Sequence, residues 1–217
     1  MKVILFGATG MIGQGVLREC LLDTGVERVL AVGRTPTRRD DAKLRDLVAP
    51  DLYDLSSIEG EFRGFDACFF CLGVSAVGMT EAQYSRIAYN LTLAAAETLA
   101  RVNPEMVFVY VSAAGASSTE TGAMWARVRG RTENALFRLP LRAYAFRPAL
   151  IQPLHGIKSR TRLYNAVYVV LAPVMPLLVR SFPAHVTTTE QIGRAMLRVA
   201  RDGFPRRILH TADINAL

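Results

Sequence analysis

Three glycines at a spacing of three residues, Gly7, Gly10 and Gly13, are the first residues in the chain that suggest chemistry. They follow an apolar run of strand length and precede a stretch of helical period that opens near Met11. Glycines at such a turn let the backbone approach a pyrophosphate, whose negative charge then meets the free N–H groups of the helix. This context predicts a dinucleotide-binding turn, with a tight turn that holds no ligand as the alternative. The residues expected to contact the cofactor here are Gly7, Thr9, Gly10, Met11, Ile12 and Gly13.

Arg34 follows the second apolar run, at residues 28–32. A site specific for NAD usually places Asp or Glu at this point, where the carboxylate binds the ribose hydroxyls. An Arg fits a 2′-phosphate instead, because its planar guanidinium binds phosphate oxygens in pairs. The sequence therefore favours NADP(H) as the cofactor, with NAD as the alternative. Arg38 or Arg39 would add a second contact to the same phosphate.

Further cofactor contacts are expected where later strands end, because ligands of open α/β sheets lie at the carboxyl edge. Asp54 and Leu55 follow a weak third strand near residues 52–55 and are candidates for an adenine pocket. The fourth strand, at residues 67–72, is continuously apolar, as buried parallel strands are. Its last residues and the one that follows, Cys71, Leu72 and Gly73, complete the expected cofactor contacts at this edge.

The elements that position these residues alternate between strand-length apolar runs and longer stretches of helical period. Strands are predicted at about 2–6, 28–32, 52–55, 67–72, 106–112 and 142–147, and helices from about residue 11, at 80–101 and at 124–137. This alternation predicts an α/β fold with a Rossmann-type doubly wound parallel sheet. With 217 residues and no repeat or linker, the chain is expected to form a single domain, 1–217. Residues 151–217 are less regular and are interpreted as a helical region on the substrate side or the oligomer side.

The glycine pattern, Arg34, the strand that ends at Ser112 and the later RPALIQP segment resemble the atypical short-chain dehydrogenase/reductase family. The chain is most similar to the small NAD(P)-binding, epimerase-like or NmrA-like members, over about residues 1–153. This resemblance implies a Rossmann fold, a nicotinamide cofactor and a pocket over the carboxyl edge of the sheet. It does not supply a substrate.

The same resemblance implies a departure from the family's Tyr-x-x-x-Lys pair, in which the Tyr transfers a proton and the Lys holds the ribose. The matching positions are Trp125 and Arg129. Arg129 can donate to ribose hydroxyls, but it stays protonated and does not relay a proton. Ser112 matches the serine that binds the substrate carbonyl, and Pro148 matches a position near the nicotinamide. Ser112 and Arg129 are therefore the candidate catalytic residues.

Three functions remain open from the sequence, and the third, a membrane-associated scaffold, rests only on the apolar stretch 163–179. The first is an NADP(H)-dependent oxidoreductase that acts on an unidentified small carbonyl or related substrate, with the hydride chemistry supplied by the cofactor. The second is a non-catalytic NADP(H)-binding sensor or regulatory module, which the loss of the Tyr and Lys favours. Cofactor turnover discriminates between the first two, since fold alone does not settle function.

The net charge indicates the class of ligand, and the cysteine content indicates the cellular compartment. The formal charge is +7, and all but three of the 26 basic residues are Arg, which favours anionic ligands. No nucleic acid is expected, because the Arg residues are spread along the chain without a dense basic run. Three cysteines and no secretory signal predict reduced thiols in a cytoplasmic protein.

No metal site is expected. Cys68 and Cys71 form a Cys-x-x-Cys pattern, but on a strand they point to opposite faces, and His155, His185 and His210 are far apart in the sequence. The most apolar stretch, 163–179, is barely of spanning length and contains two prolines. A buried helix pair, a substrate lid or a homodimer face explains it better than a span, and peripheral membrane contact is the alternative.

Overall fold

The computed structural model describes residues 1–157 and 182–217, and within them one seven-stranded parallel sheet forms the centre of the fold. Its strands are β1 (Lys2–Phe6), β2 (Arg28–Gly33), β3 (Leu44–Val48), β4 (Ala67–Phe70), β5 (Val107–Val111), β6 (Arg142–Arg147) and β9 (Ile208–His210). A second, two-stranded parallel sheet pairs β7 (Leu150–Gln152) with β8 (Val186–Thr188). The α-helices are α1 (Met11–Leu22), α2 (Glu81–Ser85), α3 (Thr92–Val102), α4 (Met124–Leu136), α5 (Thr189–Asp202) and α6 (Thr211–Ala216). A 3₁₀ helix covers Ser56–Phe62 and a π-helical segment covers Arg86–Leu91.

The strand order of the main sheet is β3-β2-β1-β4-β5-β6-β9. The chain runs outward from β1 to β3 and then returns to β4 on the other side of β1, with Phe6 opposite Phe70 at the carboxyl ends. Connections that leave neighbouring strands in opposite directions open a crevice at this point, and ligands of open α/β sheets bind there. The topology therefore places a binding crevice beyond the ends of β1 and β4.

Helices cover both faces of the sheet, so the fold is the predicted Rossmann-type doubly wound α/β domain. One core cluster packs α1 and α5 against the sheet, and its helical side chains include Val16, Leu17, Cys20, Ile192, Met196 and Val199. The other cluster packs the 3₁₀ helix, α3 and α4 against the opposite face, with Phe62, Ala95, Leu99 and Leu136 among its members. The spacing of the apolar residues predicted α1, α3 and α4. The 3₁₀ helix was not predicted, and α5 lies in the region 151–217 that was interpreted only as helical.

The predicted third strand is wrong. β3 lies at Leu44–Val48, eight residues before the predicted 52–55, and it carries Arg45 and Asp46 in its middle. It is the edge strand of the sheet and is only partly buried, so it lacks the continuous apolar pattern of a central strand. The apolar residues that suggested a strand, Leu52 and Leu55, are buried in the core from a loop and the start of the 3₁₀ helix.

The helix predicted at 80–101 is present at residues 81–102, but it contains a π-helical segment between two α-helical ones. Thr80 caps its start, accepting a hydrogen bond from the Gln83 amide at 3.3 Å while the Gln83 side chain accepts from the Thr80 amide at 2.9 Å. The chain then passes from α2 through the π-helical segment into α3. A π-helical turn is not visible in the apolar periodicity, and such turns are frequently found at functional sites.

Residues 182–217 contribute side chains to the hydrophobic core. A Cβ added at Gly15 of α1 would lie 2.6 Å from the Thr189 Cβ of α5, and one at Gly193 would lie 2.8 Å from the Glu19 Cγ. The two helices therefore approach as closely as glycine allows, and β9 extends the sheet beside β6. No helix among residues 1–157 and 182–217 is long and apolar enough to cross a membrane. The apolar stretch 163–179 lies outside the described residues.

Candidate functional site

The glycine turn between β1 and α1 adopts a conformation that side chains would prevent. Gly7 has φ +82°, and a Cβ there would lie 2.8 Å from the Cys71 carbonyl carbon. A Cβ at Gly13 would lie 2.0 Å from the Gly7 carbonyl oxygen, so the turn packs directly on the first turn of the helix. The Gly10 amide donates to the Gly7 carbonyl at 2.9 Å, which closes the turn. Close backbone contacts thus require glycine at positions 7 and 13, whereas a Cβ at Gly10 would lie 3.3 Å from the Gly7 carbonyl oxygen.

The N-terminus of α1 is open to an anion. Its N-cap residue is Gly10, no side chain caps it, and no acidic residue lies in its first turn. The first N–H groups of a helix lack intrahelical partners and carry partial positive charge. A pyrophosphate fits this turn, since the glycines leave room for its approach and the helix supplies the hydrogen-bond donors. Thr9, Gly10, Met11 and Ile12 are half-buried along the turn and the start of α1.

The first cavity, called the β1–β3 cavity, has a volume of about 350 Å³ and opens over the carboxyl ends of β1, β2 and β3. Gly7 and Thr9 line it on one side, and Arg34, exposed just beyond β2, lines it on the other. The lining includes Asp46 and Leu52, which the sequence analysis did not select. Neither of the predicted adenine-pocket residues, Asp54 and Leu55, belongs to it.

Local contacts explain the positions of those two residues. Leu55 is 2% exposed and packs in the core. Asp54 is exposed, and its carboxylate accepts a hydrogen bond from the Ser56 amide at 3.0 Å. The hydroxyl and the amide of Ser56 both lower the pKa of Asp54 below its ordinary value. Asp54 therefore stabilises the start of the 3₁₀ helix in this structure.

Asp46 fixes the loop that carries Arg34. Its Oδ2 accepts hydrogen bonds from the Thr37 amide at 3.0 Å and from the Thr37 hydroxyl at 2.9 Å. Residues 34–39 are thereby tied to the edge strand β3. No motif predicts this pair, because nine residues and a change of direction separate the two side chains.

The second cavity, called the β4–β5 cavity, has a volume of about 520 Å³. It lies on the other side of the crevice, after β4 and β5 and against α2 and α4. Its lining residues are Val74, Ser75, Ala76, Val77, Tyr84, Ala113, Met124, Trp125 and Arg129. Most of them are apolar, and polar groups from Ser75, Tyr84 and Arg129 converge on the space. A largely apolar pocket with a few polar groups is the usual form of a small-molecule site.

Arg129 of α4 contacts β5 and lines the β4–β5 cavity. Its Nη1 donates to the Val111 carbonyl at 3.1 Å and to the Tyr110 hydroxyl at 3.4 Å, and Tyr84 lines the same cavity. Burial raises the pKa of Tyr110, and the charge of Arg129 opposes that shift. No carboxylate of the described residues forms an ion pair with Arg129, so its charge is available to a ligand in the cavity.

Residues 7–146 match a family described as NAD(P)H-binding. The chain belongs to this NAD(P)H-binding family. The glycine turn, the uncapped helix and both cavities lie within the matched residues. A nicotinamide dinucleotide is therefore the cofactor class of the domain, as the glycine pattern predicted, and the resemblance to atypical short-chain dehydrogenase/reductases is confirmed at the level of family and fold.

Solved structures of similar fold have low sequence identity to this NAD(P)H-binding protein. A UDP-glucose 4-epimerase matches with a TM-score of 0.73 and 16% identity, over 100% of this chain and 80% of its own. The Bordetella bronchiseptica enzyme WbmF, in complex with NAD⁺, matches with a TM-score of 0.69 and 14% identity, over 99% and 76%. A short chain dehydrogenase family protein from Francisella tularensis matches with a TM-score of 0.66 and 14% identity, over 96% of this chain and 95% of its own. A search of curated proteins by sequence gives no match.

Ser112, predicted to contact substrate and cofactor, has a different environment in the structure. It is 4% exposed, and its hydroxyl donates to Glu133 Oε1 at 2.5 Å. Its neighbour Ala113, and not Ser112, lines the β4–β5 cavity. Ser112 therefore supports a buried polar network in this structure, and its assignment to the substrate remains a prediction from the family resemblance.

The two positions that replace the family's Tyr and Lys face the same cavity. Trp125 lines it, and its ring would lie 3.1 Å from a Cβ at Gly115, so the indole packs against the loop after β5. Arg129, one helical turn later, lines it as well. The helix thus presents these side chains where the resemblance implied, without the proton-transferring hydroxyl.

The remaining predicted contacts lie at or near the crevice. Leu72 lines the β1–β3 cavity, and a Cβ at Gly73 would lie 3.8 Å from Arg129 Nη2. Cys71 is half-buried, and burial raises the pKa of its thiol above the ordinary value. Pro148 is buried, and its carbonyl accepts from the Ala114 amide at 2.9 Å, which ties the ends of β5 and β6 together.

The sequence analysis expected no metal site at the cysteines and histidines, and the structure shows the contacts of Cys68, Cys71 and His155. Cys68 packs in the core cluster on the α3 face and Cys71 packs against the opposite cluster, which confirms the predicted facing. His155 has one carboxylate partner, Glu190, at 2.6 Å. Within residues 1–157 and 182–217, no group of three His, Cys, Asp or Glu side chains could hold a metal ion.

Proposed function

We propose that this protein is an NADP(H)-dependent oxidoreductase that acts on a small carbonyl compound. The adenosine end of the cofactor is assigned to the β1–β3 cavity and the nicotinamide end to the β4–β5 cavity, with the pyrophosphate on the glycine turn between them. The two cavities lie on either side of the switch point, which is where a dinucleotide binds in this fold.

The position of Arg34 carries the preference for NADP(H). Arg34 follows β2 directly and lines the β1–β3 cavity, at the place where sites specific for NAD carry a carboxylate. The acidic residue in this cavity, Asp46, already accepts two hydrogen bonds from Thr37 through one oxygen. A guanidinium here favours a 2′-phosphate through charge-assisted hydrogen bonds, each of which contributes about 1.5–3 kcal/mol.

The nicotinamide supplies hydride chemistry when it is bound, and the chain's own residues orient the reactants. Arg129 is held by the Val111 carbonyl and projects into the β4–β5 cavity, where it can donate to ribose hydroxyls or to a substrate oxygen. Apolar side chains from residues 74, 76, 77, 124 and 125 line the same space.

Calorimetric titration with NADPH and NADH tests the cofactor assignment. We expect the wild type to bind NADPH at least tenfold more tightly than NADH, and Arg34→Asp to lose this preference. Arg28→Asp is the matched control, because Arg28 is exposed at the opposite end of the same strand, away from the cavity. Equal affinities in the wild type would refute the NADP(H) preference, and binding of neither nucleotide would refute the cofactor site.

The second candidate is a non-catalytic NADP(H)-binding module. The observation in its favour is Trp125, which occupies the place of the family's proton-transferring Tyr. Such a protein would bind NADPH tightly without oxidising it in the presence of any carbonyl compound. Turnover of NADPH would exclude this candidate.

A further inference from the structure

We propose that Tyr84 is the proton donor of the β4–β5 cavity and that its substrates are carbonyl compounds with an apolar body. This inference rests on the proposed oxidoreductase function and names the group that replaces the absent family Tyr. Tyr84 and Arg129 line the cavity together, and Tyr84 lies 45 residues before Arg129 in the chain. No sequence motif singled it out.

Helix packing holds Tyr84 in place. Arg127 of α4 forms an ion pair with Glu81 at 2.6 Å, and Arg131 donates to the Ser85 hydroxyl at 3.3 Å, so contacts on both sides of Tyr84 fix α2 to α4. The phenol itself is 1% exposed. A side chain fixed in this way is pre-organised for a ligand, since little rotamer freedom remains to be lost.

The π-helical segment adds a second fixed connection. The Ala88 carbonyl accepts hydrogen bonds from the Thr92 hydroxyl at 3.0 Å and from the Thr132 hydroxyl of α4 at 3.2 Å. These donors compensate for the altered backbone hydrogen bonding of a π turn, and one of them belongs to the facing helix. The turn therefore tethers the helix of Tyr84 to the helix of Arg129.

Two side chains account for the proton transfer, Tyr84 of α2 and Arg129 of α4. As the carbonyl carbon accepts the hydride, the electrons of the C=O π bond move to its oxygen, which takes the proton of the Tyr84 hydroxyl. The guanidinium of Arg129, which lines the same cavity and stays protonated throughout, balances the charge of the phenolate that remains, and water then reprotonates the phenolate. The product would be the alcohol, and a bound nicotinamide would supply the hydride and be oxidised by the loss of its two electrons.

The cavity also defines the substrate class. Apart from Ser75, Tyr84 and Arg129, the side chains that line it are apolar, and Val77 at its rim is 83% exposed. Burial of an apolar substrate body against such residues contributes about 25 cal/mol for each Å² removed from water. An aldehyde or ketone with an aromatic or aliphatic body fits this lining better than a polyol.

The first arm of the test measures binding. NADPH is titrated into the free protein, and N-cyclohexylformamide, an unreactive carbonyl compound, is titrated into the NADPH complex. We expect Tyr84→Phe to keep the NADPH Kd within about twofold and to weaken formamide binding about tenfold, which corresponds to the loss of one hydrogen bond. Tyr89→Phe, which removes a hydroxyl from the π-helical segment outside the cavity lining, should match the wild type.

Four results of this arm are decisive. Formamide that binds Tyr84→Phe as well as the wild type, or that fails to bind the wild-type NADPH complex, overturns the proposal. Ser75→Ala is the competing variant, because its hydroxyl also lines the cavity; loss of formamide binding there and not in Tyr84→Phe would give the role to Ser75. Failure of the wild type to bind NADPH would instead refute the proposed function.

The second arm measures turnover of benzaldehyde and hexanal with NADPH. We expect Tyr84→Phe to lower kcat at least about 100-fold with a smaller change in KM, as loss of a general acid does. Equal rates for Tyr84→Phe and the wild type, or no reduction of either aldehyde by the wild type, would overturn the assignment of Tyr84 as proton donor.

Discussion

Glu133 and Arg147 form a buried ion pair that joins α4 to the carboxyl end of β6. Arg147 donates its Nε to Glu133 Oε1 at 3.0 Å and its Nη2 to Oε2, and Glu133 is fully buried. Ser112 completes the network from β5. Removal of one partner of a buried pair leaves an uncompensated charge.

Glu133→Ala should therefore lower the free energy of unfolding by about 3–5 kcal/mol, because Arg147 would remain buried without its carboxylate. Chemical denaturation followed by circular dichroism measures this change. A loss under about 1 kcal/mol would show that Arg147 finds water or another partner.

Ser112→Ala separates the structural role of this residue from its predicted catalytic role. Loss of its hydrogen bond to the Glu133 carboxylate should cost about 1.5–3 kcal/mol of stability. Since Ser112 is absent from the lining of both cavities, NADPH affinity should change by less than about twofold. A large loss of NADPH affinity with unchanged stability would restore the family-based assignment.

Gly13→Ala should disrupt the dinucleotide turn. The added Cβ would meet the Gly7 carbonyl oxygen at 2.0 Å, and the backbone must move to relieve the clash. We expect a loss of about 3 kcal/mol in stability and no detectable NADPH binding. Gly60→Ala is the matched control, because a Cβ at Gly60 meets no atom within 4 Å. Normal NADPH affinity in Gly13→Ala would contradict the assignment of the pyrophosphate to this turn.

Thr132→Val tests the tether between the π-helical segment and α4. The substitution keeps the side-chain shape and removes the hydroxyl that donates to the Ala88 carbonyl at 3.2 Å and to the Val128 carbonyl at 2.8 Å. Stability should fall by about 1 kcal/mol, because the Ala88 carbonyl loses the hydroxyl donor from α4 and keeps the Thr92 hydroxyl. Thermal unfolding provides the measurement, and Thr98→Val, whose hydroxyl bonds within α3, is the comparison.

Asp23 should make stability depend on pH in the acid range. The hydrogen bond from Arg201 and that from the Gly25 amide lower the pKa of Asp23 below its ordinary value of 3.8. A lowered pKa means that the contribution is complete above about pH 4 and is lost as the pH falls through the folded-state pKa. Asp23→Asn should cost about 1 kcal/mol at pH 7, and the difference from wild type should shrink below pH 4. An Arg201→Gln variant and the double variant measure the pair itself, and a coupling energy of zero would refute this origin.

The glycine turn and the strands beside it were predictable because their signals are local. Gly7, Gly10 and Gly13 sit between a strand and a helix, and the spacing alone requires a tight turn. Central strands such as β4 and β6 are buried on both faces, so their apolar runs mark them directly. Edge strand β3 has no such run, because half of its surface faces solvent.

The doubly wound class, the cofactor turn and the place of Arg34 could be predicted from the sequence, because each depends on residues close together in the chain. Three features became visible in the folded protein alone: the bond of Ser112 to Glu133, the bond of Thr37 to Asp46, and the cavity that Tyr84 shares with Arg129. These contacts join side chains from different elements, and the packing of helices on the sheet sets which of them meet. Periodicity and spacing report which face of an element is buried, whereas the partner on that face is fixed by the fold.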